Sequence, residues 1–219
     1  MTGNGAASGD GNDCVRAQYH WLDADLRMAN ANRAAVPWVI IFGHRPMYCN
    51  VAAVNATTHA ESCDGEQEQS RNGAQTIPTA TSGGKPGTAN YAIEDLLYKH
   101  GVDLAFYGHV HDYTRFLPVY SHTVLGTDYA EPKATVHFTI GGAGNPEMTD
   151  SPIDCAHYVG KAWAPWAAET AGPYGSCIDV NYGRNASHLR YQQVSVTTRA
   201  VIDDIWVVQH RHGSFADRR

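Results

Sequence analysis

Two short apolar runs, residues 36–42 and 102–107, are the clearest feature of the hydropathy pattern. Both are rich in aliphatic and aromatic residues, which is typical of strands buried on both faces of a parallel sheet. A segment with helical spacing of apolar residues precedes each run, one from Gln18 onward and one over about 90–101. Helix and strand in this alternating order predict an α/β fold.

The second half of the chain has a different pattern. After Arg115, short segments rich in β-branched and aromatic residues predict a mainly β region. The predicted strands are 116–120, 134–140, 189–196 and 205–210. The segment Gly141-Gly-Ala-Gly144 predicts a tight turn rather than a phosphate-binding loop, because Asn-Pro and not a helix follows it. Residues 152–174 predict an irregular cover, and the polar stretch 49–88 predicts a long loop.

The composition restricts the class of protein. The chain has 219 residues, of which 43% are hydrophobic, enough for the core of one ordinary soluble domain. Its net charge of -6 argues against nucleic acid as a partner, because phosphate binding requires clustered lysine and arginine. No apolar run is long enough to cross a membrane. The N-terminal residues lack the pattern of a signal peptide.

Cysteines and glycosylation motifs favour an oxidising, secreted setting. Of the five cysteines, Cys49 and Cys63 bracket a polar loop and form the most favourable pair. The odd number leaves one cysteine over, for which Cys14 is the candidate. Triplets that begin at Asn55 and Asn185 match the N-glycosylation pattern.

Both predicted strands of the parallel sheet end in a Gly-His dipeptide. The first run is followed by Gly43 and His44, and the second by Gly108-His-Val-His111. Because the carboxyl ends of parallel strands meet at one edge of a sheet, these histidines are expected to lie together. In an extended segment His109 and His111 would face the same side, where they could serve one ion or straddle two. Nitrogen ligands of this kind suit zinc, at about 2.0–2.1 Å.

These motifs, in this order, resemble those of the purple acid phosphatases, binuclear-metal phosphoesterases with a calcineurin-like fold. The resemblance covers the chain from Gln18 onward. It rests on Gln18-Tyr-His-Trp-Leu22, Gly43-His-Arg-Pro-Met-Tyr48, Gly108-His-Val-His-Asp-Tyr113, Pro118-Val-Tyr120, Gly141-Gly-Ala-Gly144 and Asn185-Ala-Ser-His-Leu189. The resemblance implies the C-terminal half of a metallophosphoesterase α/β sandwich over 18–132 and the family's mainly β C-terminal region over 133–219. The residues before it, 1–17, are predicted to be a flexible leader because their start is rich in Gly and Asn and low in apolar residues.

The resemblance also implies a chemistry. The family hydrolyses phosphate monoesters at acid pH with two metal ions, which clamp the phosphate and lower the pKa of a bound water. By resemblance, His44 and His109 would bind a divalent zinc, manganese or iron ion, and His111 would bind ferric iron. His59, in the long polar loop, is the candidate for holding phosphate or protonating the leaving group; the alternative is an exposed loop histidine with no such role. The implied location of the full-length protein is secreted, lysosomal or vacuolar.

The chain departs from the family pattern on its N-terminal side. The family's other ligands come from Asp-x-Gly, Gly-Asp-x-x-Tyr and Gly-Asn-His-(Asp/Glu) motifs, none of which is present in the expected context. Three neutral imidazoles would hold ferric iron poorly, although zinc would still bind weakly. We therefore expect a fragment with little phosphatase activity and no purple colour by itself.

Two other interpretations account for part of the sequence. The chain could be an inactive secreted remnant, or a fragment that needs a missing N-terminal segment or a second copy of itself as partner. A metallo-β-lactamase-type site would continue as His-x-His-x-Asp-His, and Tyr113 and Thr114 do not match that motif. We therefore discount the lactamase interpretation.

Overall fold

The computed structural model describes residues 12–48, 71, 91–110, 113–141, 167–171, 177–196 and 198–218. Its elements are α1 Asn12–Ala31, β1 Ile40–Gly43, α2 Ile93–His100, β2 Leu104–Tyr107, β3 Tyr113–Phe116, β4 Val119–Tyr120, β5 Thr123–Val124, β6 Val136–Ile140, β7 Ala167–Ala171, β8 Cys177–Gly183, β9 His188–Ser195, β10 Val201–Val208 and a 3-10 helix Phe215–Arg218. Helices alternate with strands in the first half and strands prevail in the second. The predicted α/β fold with a mainly β C-terminal part is confirmed.

The central sheet has five strands in the order β1-β2-β6-β3-β7. Strands β1, β2 and β6 are parallel, and β3 is antiparallel to both β6 and β7. Strand β2 is buried along its whole length, as its apolar run predicted. Strand β1 lies at the edge of the described sheet and is less buried than predicted: Ile41 and Ile40 pack against the cores on the two faces, but Phe42 is 74% exposed.

The two faces of the central sheet have different covers. Alternate residues of a strand point to opposite faces, and in β2 Ala105 and Tyr107 pack with leucines of α1 and α2. Leu104 and Phe106 pack instead with residues of β9 and β10, which belong to a three-stranded antiparallel sheet. The sheet is therefore enclosed between helices and a second sheet.

The helices end close to the predicted positions but do not all begin there. Helix α1 begins at Asn12 rather than near Gln18, so its first turns lie within the predicted leader. Helix α2 ends at Gly101, which has a left-handed φ of 60° and donates to carbonyls of the last turn. A β-carbon on Gly101 would lie 1.6 Å from the carbonyl oxygen of Gly213, so a side chain cannot fit there. The predicted glycine cap is confirmed.

Several strands differ from the predictions. The strand predicted over 116–120 is divided into β3 and β4, because Pro118 has no N–H to continue a ladder. Strand β7 falls inside 152–174, where an irregular cover was predicted, and β8 had no prediction. The sequence of β7, Ala-Ala-Glu-Thr-Ala, has a weak strand preference. The segment forms a strand because it pairs with β3. Of the predicted turn at 141–144, the described residues include Gly141.

A buried carboxylate anchors the start of β2. Asp103 is 1% exposed and accepts hydrogen bonds from the backbone N–H of Val39 at 2.7 Å and from Nε2 of Gln209 at 2.5 Å. It also forms an ion pair with Arg33, which in turn donates to the Gly101 carbonyl at 2.6 Å. These contacts join the α1–β1 connection, the end of α2 and the C-terminal residues at one point. That point lies at the opposite end of β2 from the predicted histidine site.

No helix in the described part of the chain has both the length and the apolar character needed to cross a membrane.

Candidate metal centre

The two Gly-His corners lie side by side because of the sheet register. Strands β1 and β2 are parallel, with Gly43 paired to Tyr107, so that His44 and Gly108 come next on the two chains. A β-carbon on Gly43 would lie 3.1 Å from the ring of Tyr107. The glycine therefore lets the end of β1 lie close against the tyrosine beneath it, and His44 emerges at the edge of the sheet.

His44 and His109 face each other across this edge. Nε2 of His44 lies 3.2 Å from Nδ1 of His109, and the ring centroids are 5.0 Å apart with an interplanar angle of 70°. Two nitrogen ligands of a tetrahedral zinc ion are about 3.3 Å apart, given zinc–nitrogen distances of about 2.0–2.1 Å. The observed separation fits that geometry, and it also fits a hydrogen bond between the two imidazoles.

The backbone turns sharply at the second histidine. His109 has a φ of 61°, and the N–H of Val110 donates to the carbonyl of Gly108 at 2.7 Å. A non-glycine residue in this left-handed region costs roughly 1–2 kcal/mol, and such residues cluster at functional sites. The expectation that His109 continues an extended segment is therefore wrong. His111, the second histidine of that motif, lies outside the described residues.

The turn at His109 rests on the end of β6. A β-carbon on Gly141 would lie 2.1 Å from the carbonyl oxygen of Val110. The first glycine of the Gly141–Gly144 motif therefore leaves room for the backbone that carries His109. The sequence predicts a turn here but carries no signal for this contact, which joins residues far apart in the chain.

Below the histidines lies a layer of buried aromatic and polar side chains. Burial raises the pKa of the Tyr107 hydroxyl well above its usual value. Burial also lowers the pKa of His137, which is 1% exposed, to about 3. The rings of Tyr107 and His137 are nearly parallel, with centroids 5.9 Å apart. The side chains of Tyr107 and His137 are thus both uncharged over a wide pH range.

The other side chains predicted for the site or for a disulfide bond are not among those that the structure describes. His59, Cys49 and Cys63 lie outside the described residues, as does Cys155, and nothing is described of the side chains of Cys14 and Cys177. Within the described ranges, no group of three or more histidine, cysteine or carboxylate side chains could hold a metal ion. Two imidazoles suit a divalent ion such as zinc, whereas ferric iron prefers hard anionic oxygens. The described donors therefore fit part of a divalent site.

Sequence and structure comparisons point to one class of protein. A family model described as calcineurin-like phosphoesterase matches residues 6–113. Acid phosphatase type 7 of Homo sapiens is 36% identical over 212 residues, covering 93% of this chain and 41% of that protein. Acid phosphatase type 7 of Danio rerio is 37% identical, with 95% of this chain and 43% of that protein covered. Purple acid phosphatase 21 of Arabidopsis thaliana is 35% identical, with 59% of this chain and 22% of that protein covered.

A solved structure supports the same fold. The purple acid phosphatase from yellow lupin (Lupinus luteus) seeds matches with a TM-score of 0.58 at 19% identity, covering 88% of this chain and 28% of that one. The chain contains a calcineurin-like phosphoesterase domain, matched over residues 6–113. Within this class its relatives are acid phosphatases type 7 and purple acid phosphatases, which confirms the resemblance drawn from the motifs. The chain spans about two fifths of the length of the acid phosphatases type 7.

Proposed function

We propose that the chain supplies part of the binuclear metal site of an acid phosphatase that hydrolyses phosphate monoesters. The observation that carries this proposal is the 3.2 Å separation between His44 Nε2 and His109 Nδ1 at the ends of two neighbouring parallel strands. The names of its relatives support the reaction class. A site at the carboxyl edge of a parallel sheet is also where ligands bind in α/β folds.

In this proposal His44 and His109 bind a divalent zinc, manganese or iron ion, and His111 binds ferric iron. His59 holds phosphate or protonates the leaving alkoxide. When bound, the two metals would supply positive charge for the phosphate and lower the pKa of a water for attack.

The residues of the chain contribute position and charge state. His44 presents Nε2 and His109 presents Nδ1, so two different ring nitrogens converge on one point. Each must be unprotonated to act as a ligand, so metal affinity falls as the pH decreases. The edge is open to solvent at His44, which leaves room for a phosphate ester to approach.

A second candidate is a partner-dependent fragment without activity of its own. It is favoured by the two-histidine donor set at this corner within the described residues, and by the open edge of β1 with its exposed Phe42. A missing N-terminal segment would supply the other ligands and cover that edge; a second copy of the chain is the alternative partner. The full-length protein would then be secreted, lysosomal or vacuolar.

Hydrolysis of p-nitrophenyl phosphate tests both candidates. The chain is expressed alone and also extended by the reading frame upstream of Met1. We expect little activity from the chain alone and clear activity from the extended form. His44→Ala, His109→Ala or His111→Ala should abolish that activity, whereas His210→Ala, which removes an exposed histidine elsewhere, should not.

The outcomes separate the two candidates. A violet, active, two-metal preparation of the chain alone would refute the partner-dependent fragment. An extended form that is inactive, or whose activity survives loss of His44 and His109, would refute the phosphatase assignment of these residues.

A further inference from the structure

The chain enters the core within a few residues of His44, the first histidine of the proposed metal site. His44 and Arg45 are exposed, whereas Met47 and Tyr48 are 2% and 1% exposed. The ring of Tyr48 packs edge-on against that of His137, with centroids 5.2 Å apart. Tyr48 is therefore the buried residue that anchors the exposed corner carrying His44 to the core.

The hydroxyl of Tyr48 is held by a carboxylate from another element. It donates to Oε1 of Glu94, a residue of the first turn of α2 that is 5% exposed. The same carboxylate oxygen accepts the backbone N–H of Ser121 at 3.1 Å. The Tyr48 oxygen in turn accepts the N–H of His122 at 3.3 Å. Glu94 thus fastens the corner both to α2 and to the 121–122 turn.

A buried arginine completes this cluster. Arg71 is 2% exposed, and its Nε lies 3.9 Å from Oε2 of Glu94. Its Nη1 donates to the carbonyl of Met47 at 3.1 Å, and its guanidinium lies 5.3 Å from the centre of the Tyr48 ring. Burial raises the pKa of Glu94, and the Tyr48 hydroxyl and the charge of Arg71 oppose that shift.

A buried cluster of charged side chains such as Glu94 and Arg71 adds little to the stability of the fold. Buried ion pairs contribute little beyond what well-packed apolar residues of the same volume would give, because both charges lose their hydration. What they do supply is directional contact, and here the contacts of Glu94 with Tyr48, Ser121 and Arg71 constrain the corner or what packs on it.

We propose that Glu94 is a positioning residue for the metal site, acting through Tyr48 to hold the corner in the place where His44 meets His109. This inference rests on the proposed function. A metal ligand must be held within about 0.5 Å of its productive position, so a loosened corner would lower metal affinity before it lowered stability.

Zinc titration of the full chain, followed by calorimetry, tests the positioning role. Glu94→Ala and Tyr48→Phe should each weaken zinc binding by about tenfold or more, as loss of outer-shell support does. Because Glu94 acts through Tyr48, the double variant should bind zinc no more weakly than Glu94→Ala. Glu94→Gln, which keeps an acceptor oxygen, should recover much of the loss.

Asp95→Ala is the matched control. It removes the same charge one residue along α2, from an exposed carboxylate that accepts the Tyr120 hydroxyl at 2.9 Å. Zinc affinity should be unchanged in this variant. If Glu94→Ala does not fold, Tyr48→Phe, which loses a single hydroxyl, decides the matter.

The failures are distinguishable. If His44→Ala leaves zinc binding unchanged, the proposed metal site is wrong. If His44→Ala weakens binding but Tyr48→Phe does not, or if the Glu94 and Tyr48 effects simply add, the positioning role is overturned and the metal site stands.

Discussion

Gly141 lies so close to Val110 that a β-carbon on the glycine would be 2.1 Å from the valine carbonyl oxygen. Gly141 follows β6, and Val110 belongs to the turn in which His109 takes a left-handed conformation. The contact is between backbones, so no rotation of a side chain can relieve it. The shape of the His109 turn thus depends on the absence of a side chain at the end of β6, the neighbour of β2 in the sheet.

Gly141→Ala should displace the turn and disturb the histidine pair. We expect a loss of about 1–3 kcal/mol in the free energy of unfolding, which is typical of overpacking, together with weaker zinc binding. Urea unfolding and zinc titration measure the two effects. Gly183→Ala is the control, because nothing lies within 4 Å of a β-carbon there. Equal behaviour of the two variants would contradict the proposed contact.

Asp103→Ala should be strongly destabilising. It removes the partner of buried Arg33 and the acceptor for the Val39 N–H and the Gln209 amide. Breaking a buried ion pair costs about 3–5 kcal/mol. Asp204→Ala, which breaks an exposed pair with Arg190, should cost far less, because water and salt screen such a pair. Chemical denaturation of both variants checks the difference, and similar midpoints would argue against the anchoring role of Asp103.

His137 should make the fold sensitive to acid. Its pKa is lowered by burial from 6.5 to about 3, so between these pH values the unfolded chain binds a proton that the folded chain does not. Stability therefore falls as the pH decreases through this window, by about 1.4 kcal/mol per pH unit. His137→Phe should flatten the profile of unfolding free energy between pH 6.5 and 4. His20→Gln, at an exposed site, should leave the profile unchanged; a profile unaltered in both would contradict the assignment.

Asn185 should accept a glycan if the chain enters a secretory pathway. It is exposed in the turn between β8 and β9, where its Oδ1 accepts from the N–H and the hydroxyl of Ser187 at 2.9 and 3.1 Å. Expression behind a secretory leader in a eukaryotic host should give a glycosidase-sensitive mass increase. Ser187→Ala should remove the part of this increase that belongs to Asn185, and Asn181→Gln on the same hairpin should not. No change with Ser187→Ala would show that Asn185 is not used.

The approach of His44 to His109 could be predicted from sequence, because two apolar runs that form parallel strands bring the Gly-His ends that follow them to one edge of the sheet. The left-handed turn at His109 could not, since its neighbour Val110 lies against Gly141, a contact between residues far apart in the chain. Local patterns report on neighbours in sequence, and this contact is a product of the finished sheet.

The same limit explains the missed supports and strands. In the sequence Glu94 is an ordinary acidic residue in the first turn of a predicted helix. None of its neighbours along the chain indicates that Tyr48 is its partner. Asp203 interrupts the apolar pattern of β10, which delayed the predicted start of that strand. Its carboxylate pairs with Arg115 of β3 at 2.7 Å, so the charge is satisfied across the two sheets. Pairing of this kind is decided by tertiary packing.

Strand β2 joins Asp103 at one end to the His109 turn at the other, and it is short and buried throughout. Because β2 is short and tightly packed, a shift at one of its ends should displace the other end. Substitutions around Asp103 that leave the chain folded should therefore also displace the His109 turn and weaken the proposed metal site, although they lie at the other end of the strand.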